Sequence, residues 1–312
     1  MPRSIAKYPL DCKLSPGLVG VGLRHPHFQD AMGGASQIDF IEVHAENFFD
    51  QRALNVLQTI AMQYPVSLHA TSIGLGSAVG INERYLMALE SLVEEVNPAM
   101  VSDHACFAWS HVNGFPIHAG DLLPLEFTKA SVDVMVENVD RVQQCLGRQI
   151  LIENLSTYLP MNHSTLSEAE FLVSIADRTQ CGLLIDLNNV LVNLHNQEVE
   201  DVSANAKQWL KQIPDNLIRE FHLAGYSEPS SNSLIIDDHS QPVNSECWSF
   251  YEYALTHAGP VPTLIEWDND LPSWPELVAE AAKAKHLMES VTGVPQQTQH
   301  EGSKCEESQY EY

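Results

Sequence analysis

Six side chains able to hold a metal, His69, His104, Glu153, Asp186, His222 and Glu266, each stand at the end of a short run that is otherwise mostly apolar. The runs are VSLHA (66–70), AMVSDHA (99–105), QILIEN (149–154), GLLIDLNN (182–189), IREFHLAG (218–225) and TLIEWD (263–268). Imidazole mixed with carboxylate suits iron, zinc or manganese. Asp237 and His239 add to the set, because residues two apart in an extended segment point to the same side. Asn189, three beyond Asp186, can supply an amide oxygen beside them. With 16 Lys and Arg against 41 Asp and Glu, carboxylates that converge with imidazoles need cations, and divalent metals supply them.

Strands that are apolar through their length are buried on both faces, as in a parallel sheet covered by helices, and a closed (β/α)₈ barrel gathers the C-terminal ends of its strands on one rim. Eight candidate strands can be counted, at 18–23, 39–44, 66–70, 100–105, 149–154, 183–188, 218–223 and 262–266. Between them, 82–98 carries apolar residues at helical spacing, 125–147 reads as one long helix ending at Gly147, and 167–180 opens with a capping box at Ser167 and Glu170. This alternation predicts a single α/β barrel at 18–291, after an N-terminal extension at 1–17 and before a polar, acidic, disordered tail at 292–312. In strand order, His69, His104 and Glu153 are neighbours. Asp186, His222 and Glu266 form a second set, with Glu153 between the two as the bridging carboxylate.

Taken singly, these residues have plainer explanations. A histidine at a strand end can be a hydrogen-bonded core residue, Asp186 can cap the following helix, and Glu153 or Glu266 can sit in a buried ion pair. Pooled on one rim, they read as ligands. Around them, Glu42, His44, Asn47, Asp103 and Asn154 are candidates for orienting site groups or contacting substrate, and His195 for a loop residue lining the cleft. The glycine-rich GLGSAVG (74–80) misses the spacing of a dinucleotide fingerprint and reads as a flexible loop over the substrate.

A net charge of −25 repels nucleic-acid backbones and anionic membrane surfaces. No apolar run is long enough to span a bilayer and the N-terminus lacks a secretory core, so a cytoplasmic location is expected. The six cysteines show neither a C-x-x-C pair nor a disulfide framework and read as reduced thiols. There is no G-x-S-x-G elbow, H-E-x-x-H helix or P-loop.

GVGLRHPHFQD (20–30), IEVHAENFF (41–49), SLHATSIGLGSA (67–78), VSDHACFAW (101–109), DLLPLEFT (121–128), IENLSTYL (152–159), LIDLNNVLVNLHN (184–196), HLAGYSE (222–228), LIIDDHSQPV (234–243) and TLIEWDNDLP (263–272) together resemble the multinuclear non-heme iron-dependent oxidase family. The resemblance runs in unbroken order from about Gly20 to Lys285 and implies a TIM barrel of the xylose-isomerase and endonuclease-IV type. It further implies two or three irons that act with dioxygen on cysteines of a ribosomally made precursor peptide, as in methanobactin-type and bufferin-type maturation. DDHSQPV and IEWDNDLP look nearest the copper-binding bufferin branch. A small partner protein that presents the peptide leader is implied as well. Carried over, one iron takes His69, His104 and Glu153, and a second takes Glu153, Asp186, His222 and Glu266. A third takes Asn189, Asp237 and His239; endonuclease-IV-like zinc sites have histidine where this chain has Asn189. Asp103 stands where related bufferin-type sequences commonly carry glutamate. The rival readings are a divalent-metal hydrolase or sugar isomerase on the same barrel, and a metal-binding scaffold without turnover.

Overall fold

The computed structural model describes residues 15–34, 37–159, 161–227 and 234–293. The expected N-terminal extension and acidic tail lie almost wholly outside the described residues.

In chain order the strands are β1 (Val19–Gly22), β2 (Phe40–His44), β3 (Val66–His69), β4 (Met100–His104), β5 (Phe107–Val112), β6 (Phe115–Leu123), β7 (Leu151–Glu153), β8 (Gly182–Asp186), β9 (Ile218–Leu223) and β10 (Thr263–Ile265). The helices are α1 (Phe28–Met32), α2 (Gln51–Ala61), α3 (Glu83–Val96), α4 (Lys129–Leu146), α5 (Glu168–Thr179), α6 (Leu187–Asn196), α7 (Val202–Leu210), α8 (Ser245–Ala258) and α9 (Trp274–Thr292). Eight strands close into a barrel in the order β1-β10-β9-β8-β7-β4-β3-β2, every pair parallel. The eight expected strands are these eight.

Strand side chains alternate between two environments. Ile41, Val43, Leu68, Val101, Ile152, Leu183, Ile185, Phe221, Leu223 and Ile265 join the large core shared with the helices. The other parity fills the barrel in layers. Its lowest layer is apolar, with Phe40, Met100, Leu151, Leu184 and Leu264 in a separate small cluster. Gly20 belongs there because a Cβ would stand 2.7 Å from the Phe40 ring. Two residues further along β2 and β4 come the polar, fully buried Glu42 and Ser102, and Glu220, opposite Leu184, is buried as completely. Period two thus places the metal-capable residues at the rim, above an apolar plug.

The helices start where the sequence puts caps. Asn82 accepts from the first turn of α3, Ser167 and Glu170 make the reciprocal box at α5, and Gly147 ends α4 at φ 64°. Helix α4 begins at Lys129 instead of 125, because Thr128 and Ser131 form its capping box. The preceding residues return from a feature the periodicity did not reveal, an antiparallel hairpin of β5 and β6. The 74–80 segment packs beneath that hairpin: Leu75 and Ser77 are buried, and a Cβ at Gly76 would strike Leu125 at 2.3 Å. That contact corrects the expectation of a flexible cover. Among the described residues, no helix is long and apolar enough to cross a membrane.

Candidate metal centre

At the C-terminal rim, His69 from β3, His104 from β4 and Glu153 from β7 meet. His69 Nε2 and His104 Nε2 lie 3.4 and 3.3 Å from Glu153 Oε2. The orientation of His69 is set by its other nitrogen, which is hydrogen-bonded to Ser102 Oγ at 2.7 Å. Asp103 flanks His104, with Oδ1 3.7 Å from its Nδ1 and Oδ2 accepting from Ile73 N at 2.8 Å.

The second oxygen of Glu153 faces the other way. Its Oε1 is 3.6 Å from His222 Nδ1, which lies 3.0 Å from Glu266 Oε2. Asp186 completes this group of four, whose ligand atoms lie within 4.8 Å of one another. Asp186 is also the cap of α6, accepting from Asn189 N at 2.7 Å through Oδ1, so the helix-cap explanation and site membership both hold for it. Its Oδ2 remains buried without a hydrogen bond. Asn154 locks this corner: it donates to Asp186 O and accepts from Asp186 N, at 3.0 and 2.9 Å.

Beside Asp186 Oδ2, His239 Nε2 stands at 3.9 Å, and at 2.8 Å from Asp237 Oδ1. Asn189 donates from Nδ2 to Asn154 O, which leaves its buried Oδ1 without a partner. The three expected sets are therefore brought together around one cavity of about 220 Å³, whose wall includes His44, His69, His104, Glu153, Asn189, Asp237, His239, Glu266 and Asp268. A cavity three times larger, about 660 Å³, lies alongside and shares Tyr158, but among the described residues Glu168 is the one carboxyl or imidazole that lines it, and the metal-capable groups collect around the smaller one.

The electrostatics describe a cluster short of positive charge. Burial pushes Glu153 up to about 8 and Asp186 up to about 7, against the pull of the neighbouring imidazoles. Burial alone would lower His222 and His239, yet the carboxylates around them raise both well above the ordinary imidazole range. His104 rises to about 9, against its own burial, chiefly through Glu153. His69, sealed beside His104, falls well below its ordinary value. Glu153 Oε2, Asp186 Oδ2 and Asn189 Oδ1 are all buried without hydrogen bonds. Buried polar atoms left this way would be strongly destabilising unless something else satisfies them, and this donor set fits divalent metal ions.

Two further groups of metal-capable residues differ from these three. His44, Glu266 and Asp268 approach one another, but Arg24 already occupies the space between them. Its Nε donates to Asp268 Oδ1 at 2.8 Å, and its NH2 lies 3.1 Å from His44 Nε2 and 3.6 Å from Glu266 Oε1. The guanidinium supplies the charge a metal would. Beneath the rim, His222 Nε2 faces Glu42 Oε1 at 3.4 Å and Glu220 Oε1 at 3.9 Å. Ser67 Oγ donates to Glu42 at 2.8 Å, while burial and Glu42 drive Glu220 well above the carboxylate range. A carboxylate behind a ligating imidazole fixes its tautomer, and Glu42 is placed to do so here.

Some expected residues are elsewhere. Asn47 is exposed on the short turn after β2; its neighbour Glu46 points inward, accepting from Thr71 N at 2.8 Å. His195 lies within α6 instead of a loop, paired with Glu246 at 2.6 Å, and does not line the cavity. Arg24, Glu220, Asp268 and Asn188, whose Nδ2 donates to Asp237 Oδ1 at 2.7 Å, escaped the sequence reading. For Glu220 and Asp268 the signal was present, since each stands two residues from a rim ligand in its own run. Arg24 and Asn188 offered none, because their partners are distant in sequence.

A profile of the family described as RiPP precursor modification enzyme MbnB/TglH/ChrH matches residues 18–289. The chain belongs to this family. RiPP denotes a ribosomally made peptide that is modified after synthesis. Within the family, the chain is 41% identical over 274 residues to a UPF0276 protein of Chromobacterium violaceum, covering 88% of this chain and 95% of that one. It is 40% identical over 278 residues to a UPF0276 protein of Rhizorhabdus wittichii, with 88% and 96% covered. Among solved structures, a xylose isomerase domain containing protein from Salmonella typhimurium superposes with TM-score 0.57 at 12% identity, covering 88% of this chain and 99% of that one. D-psicose 3-epimerase gives TM-score 0.53 at 15% identity, with 89% and 100% covered. Endonuclease IV from Thermus thermophilus gives 0.50 at 10%, with 88% and 99% covered. These likenesses establish the barrel fold that this RiPP-modifying chain shares with them.

Proposed function

We propose that this enzyme is an iron- and dioxygen-dependent oxidase that modifies cysteine residues of a ribosomally synthesised precursor peptide, of the copper-binding bufferin type. One observation carries the reading: Glu153 stands between two groups of buried ligand atoms, one oxygen toward His69 and His104, the other toward His222 and Glu266. In this reading His69, His104 and Glu153 hold one iron, and Glu153, Asp186, His222 and Glu266 a second. Asn189, Asp237 and His239 hold a third. Mixed imidazole and carboxylate ligation suits iron, and the family acts on RiPP precursors.

Bound iron would acidify a substrate thiol and activate dioxygen. The protein's part is positional. Ser102 fixes the imidazole of His69, Glu42 faces His222 Nε2 at 3.4 Å, and Asn154 fixes Asp186. The apolar layer of Phe40, Met100 and Leu264 closes the barrel below the rim, so that solvent and substrate enter from the mouth. A small partner protein that presents the peptide leader belongs to the same proposal, as does a cytoplasmic setting for the reaction.

The test is metal analysis of anaerobically purified protein, with Mössbauer spectra before and after oxygen is admitted. Mass spectrometry of short cysteine-containing peptides co-expressed with the enzyme completes it. At least two irons per chain, a coupled oxygen-sensitive pair and a mass change confined to cysteine residues are expected. Stoichiometric zinc or manganese that ignores oxygen, persisting after reconstitution with iron, would overturn the proposal in favour of a hydrolase or isomerase.

A further inference from the structure

His44 ends β2 on the same inward parity as Phe40 and Glu42, and its ring forms part of the cavity wall, half-buried, with its centroid 6.0 Å from that of His69. Arg24 NH2 approaches its Nε2 at 3.1 Å. A guanidinium has five N–H donors and no acceptor, so Nε2 must present its lone pair, and the proton of the neutral ring sits on Nδ1. Arg24 is itself held from the far side by Asp268 and Glu266, which keeps the arrangement rigid. His44 Nδ1 takes no partner among the described residues and is not sealed from solvent.

Most of the rest of the wall is acidic, with the hydroxyls of Thr71, Ser156 and Tyr158 among it. Glu153, Asp237, Glu266, Asp268 and Asp121 line it with carboxylates. Tyr158 accepts from Asp237 N at 2.9 Å, and its hydroxyl lies 3.2 Å from Ser156 Oγ. A peptide entering this cavity brings backbone carbonyls that lose water and need donors. A cysteine whose sulfur sits near His69 and His104 carries its own carbonyl oxygen only about 4 Å away by covalent geometry.

We propose that His44 is a catalytic residue whose Nδ1–H donates a hydrogen bond to a backbone carbonyl of the cysteine being modified, orienting it beside the metal centre, with Arg24 enforcing the tautomer. This rests on the peptide-oxidase reading and names the part of the substrate that the site recognises besides the thiol.

Asparagine and glutamine separate the two nitrogens. The amide of His44→Asn stands near Nδ1 and keeps a donor toward the cavity, whereas that of His44→Gln stands near Nε2 and satisfies only Arg24. The probes are N-acetylcysteine N-methylamide, a thiol with carbonyls, and cysteamine, a thiol without them. Both are titrated anaerobically into iron-loaded protein and followed by thiolate-to-iron absorption, so no turnover is needed. Wild type should bind the capped cysteine about tenfold more tightly than cysteamine, His44→Asn should keep most of that preference, and His44→Gln should lose it. Equal preference in wild type and His44→Gln, or a larger loss in His44→Asn, overturns the proposal. On metal-free protein, ¹⁵N histidine spectra should show His44 protonated at Nδ1; protonation at Nε2 overturns it too. If wild type binds neither thiol while the Nδ1 tautomer is observed, the failure belongs to the thiol-substrate reading, and the assignment of the carbonyl falls with it.

Discussion

Gly225 follows β9 and touches the segment that carries His239, and adding one methyl group there should remove one metal from the centre. A Cβ at this position would lie 2.1 Å from Pro242 O and 2.6 Å from Gln241 O, both backbone atoms that no side-chain rotation can move aside. Ordinary contact begins near 3.4 Å, so in Gly225→Ala the 241–242 backbone must retreat by more than an ångström. His239 is two residues before Gln241, and it is held at 3.3 Å from Glu266 and 2.8 Å from Asp237. Metal–ligand bonds tolerate only about 0.2 Å of error, so a shift of this size withdraws His239 from the group it shares with Asn189 and Asp237. His69, His104 and Glu153 lie on other strands and should keep their ion. Overpacking of this kind costs about 1–3 kcal/mol, a fall of several degrees in Tm. The assay is metal content per folded chain beside a thermal melt. An unchanged melting point in Gly225→Ala would refute the steric argument, and a lowered melting point with wild-type metal content would refute the place of His239 in the centre.

Glu153→Gln, by neutralising the one carboxylate that faces both neighbouring groups, should lower metal content at both, read by elemental analysis; full loading with normal turnover would refute the bridging assignment. Arg24→Met leaves His44, Glu266 and Asp268 without their cation, and the variant should bind one additional divalent ion per chain in a manganese titration; unchanged stoichiometry would show that the guanidinium is not standing in for a metal. Arg148 donates to Pro98 O and Ala99 O at 2.8 and 2.9 Å, and Arg148→Met strands both buried carbonyls, for an expected loss of about 2–4 kcal/mol in urea denaturation with metal content per folded chain unchanged. Burial raises Glu168 to about 7, so the folded state holds a proton that the unfolded chain releases near 4.5. Its contribution is therefore complete below about pH 4.5 and lost as pH rises through 7. Glu168→Gln, which still accepts from Trp209, should be more stable than wild type at pH 8 and lose that advantage by pH 4.5; parallel stability curves would refute the shift.

Much of the architecture was legible in the chain because it is written in local order. A run such as AMVSDHA is a buried parallel strand by its apolar residues and a rim by its last polar ones, and the eight runs sufficed to place eight strands of one barrel. The cap at Ser167 and the glycine at Gly147 marked helix ends for the same reason. The convergence of His69, His104, Glu153, Asp186, His222 and Glu266 followed from closure, since equivalent strand ends in a barrel must share a mouth.

What only the tertiary structure decided concerns direction and distance. Sequence placed His44 and His69 alike at strand ends, but only the fold shows that Arg24, twenty residues upstream of His44, claims the Nε2 of His44, while Ser102 claims the Nδ1 of His69. Asn47 and Glu46 are neighbours in sequence, and the turn after β2 exposes one and aims the other inward. His195 read as a cleft residue until α6 carried it to Glu246. The hairpin of β5 and β6 has no apolar periodicity of its own, because most of its residues stay exposed or half-buried. The division is physical: burial periodicity is a property of a segment, whereas a hydrogen-bond partner is a property of two segments and exists only once closure of the barrel has brought them together.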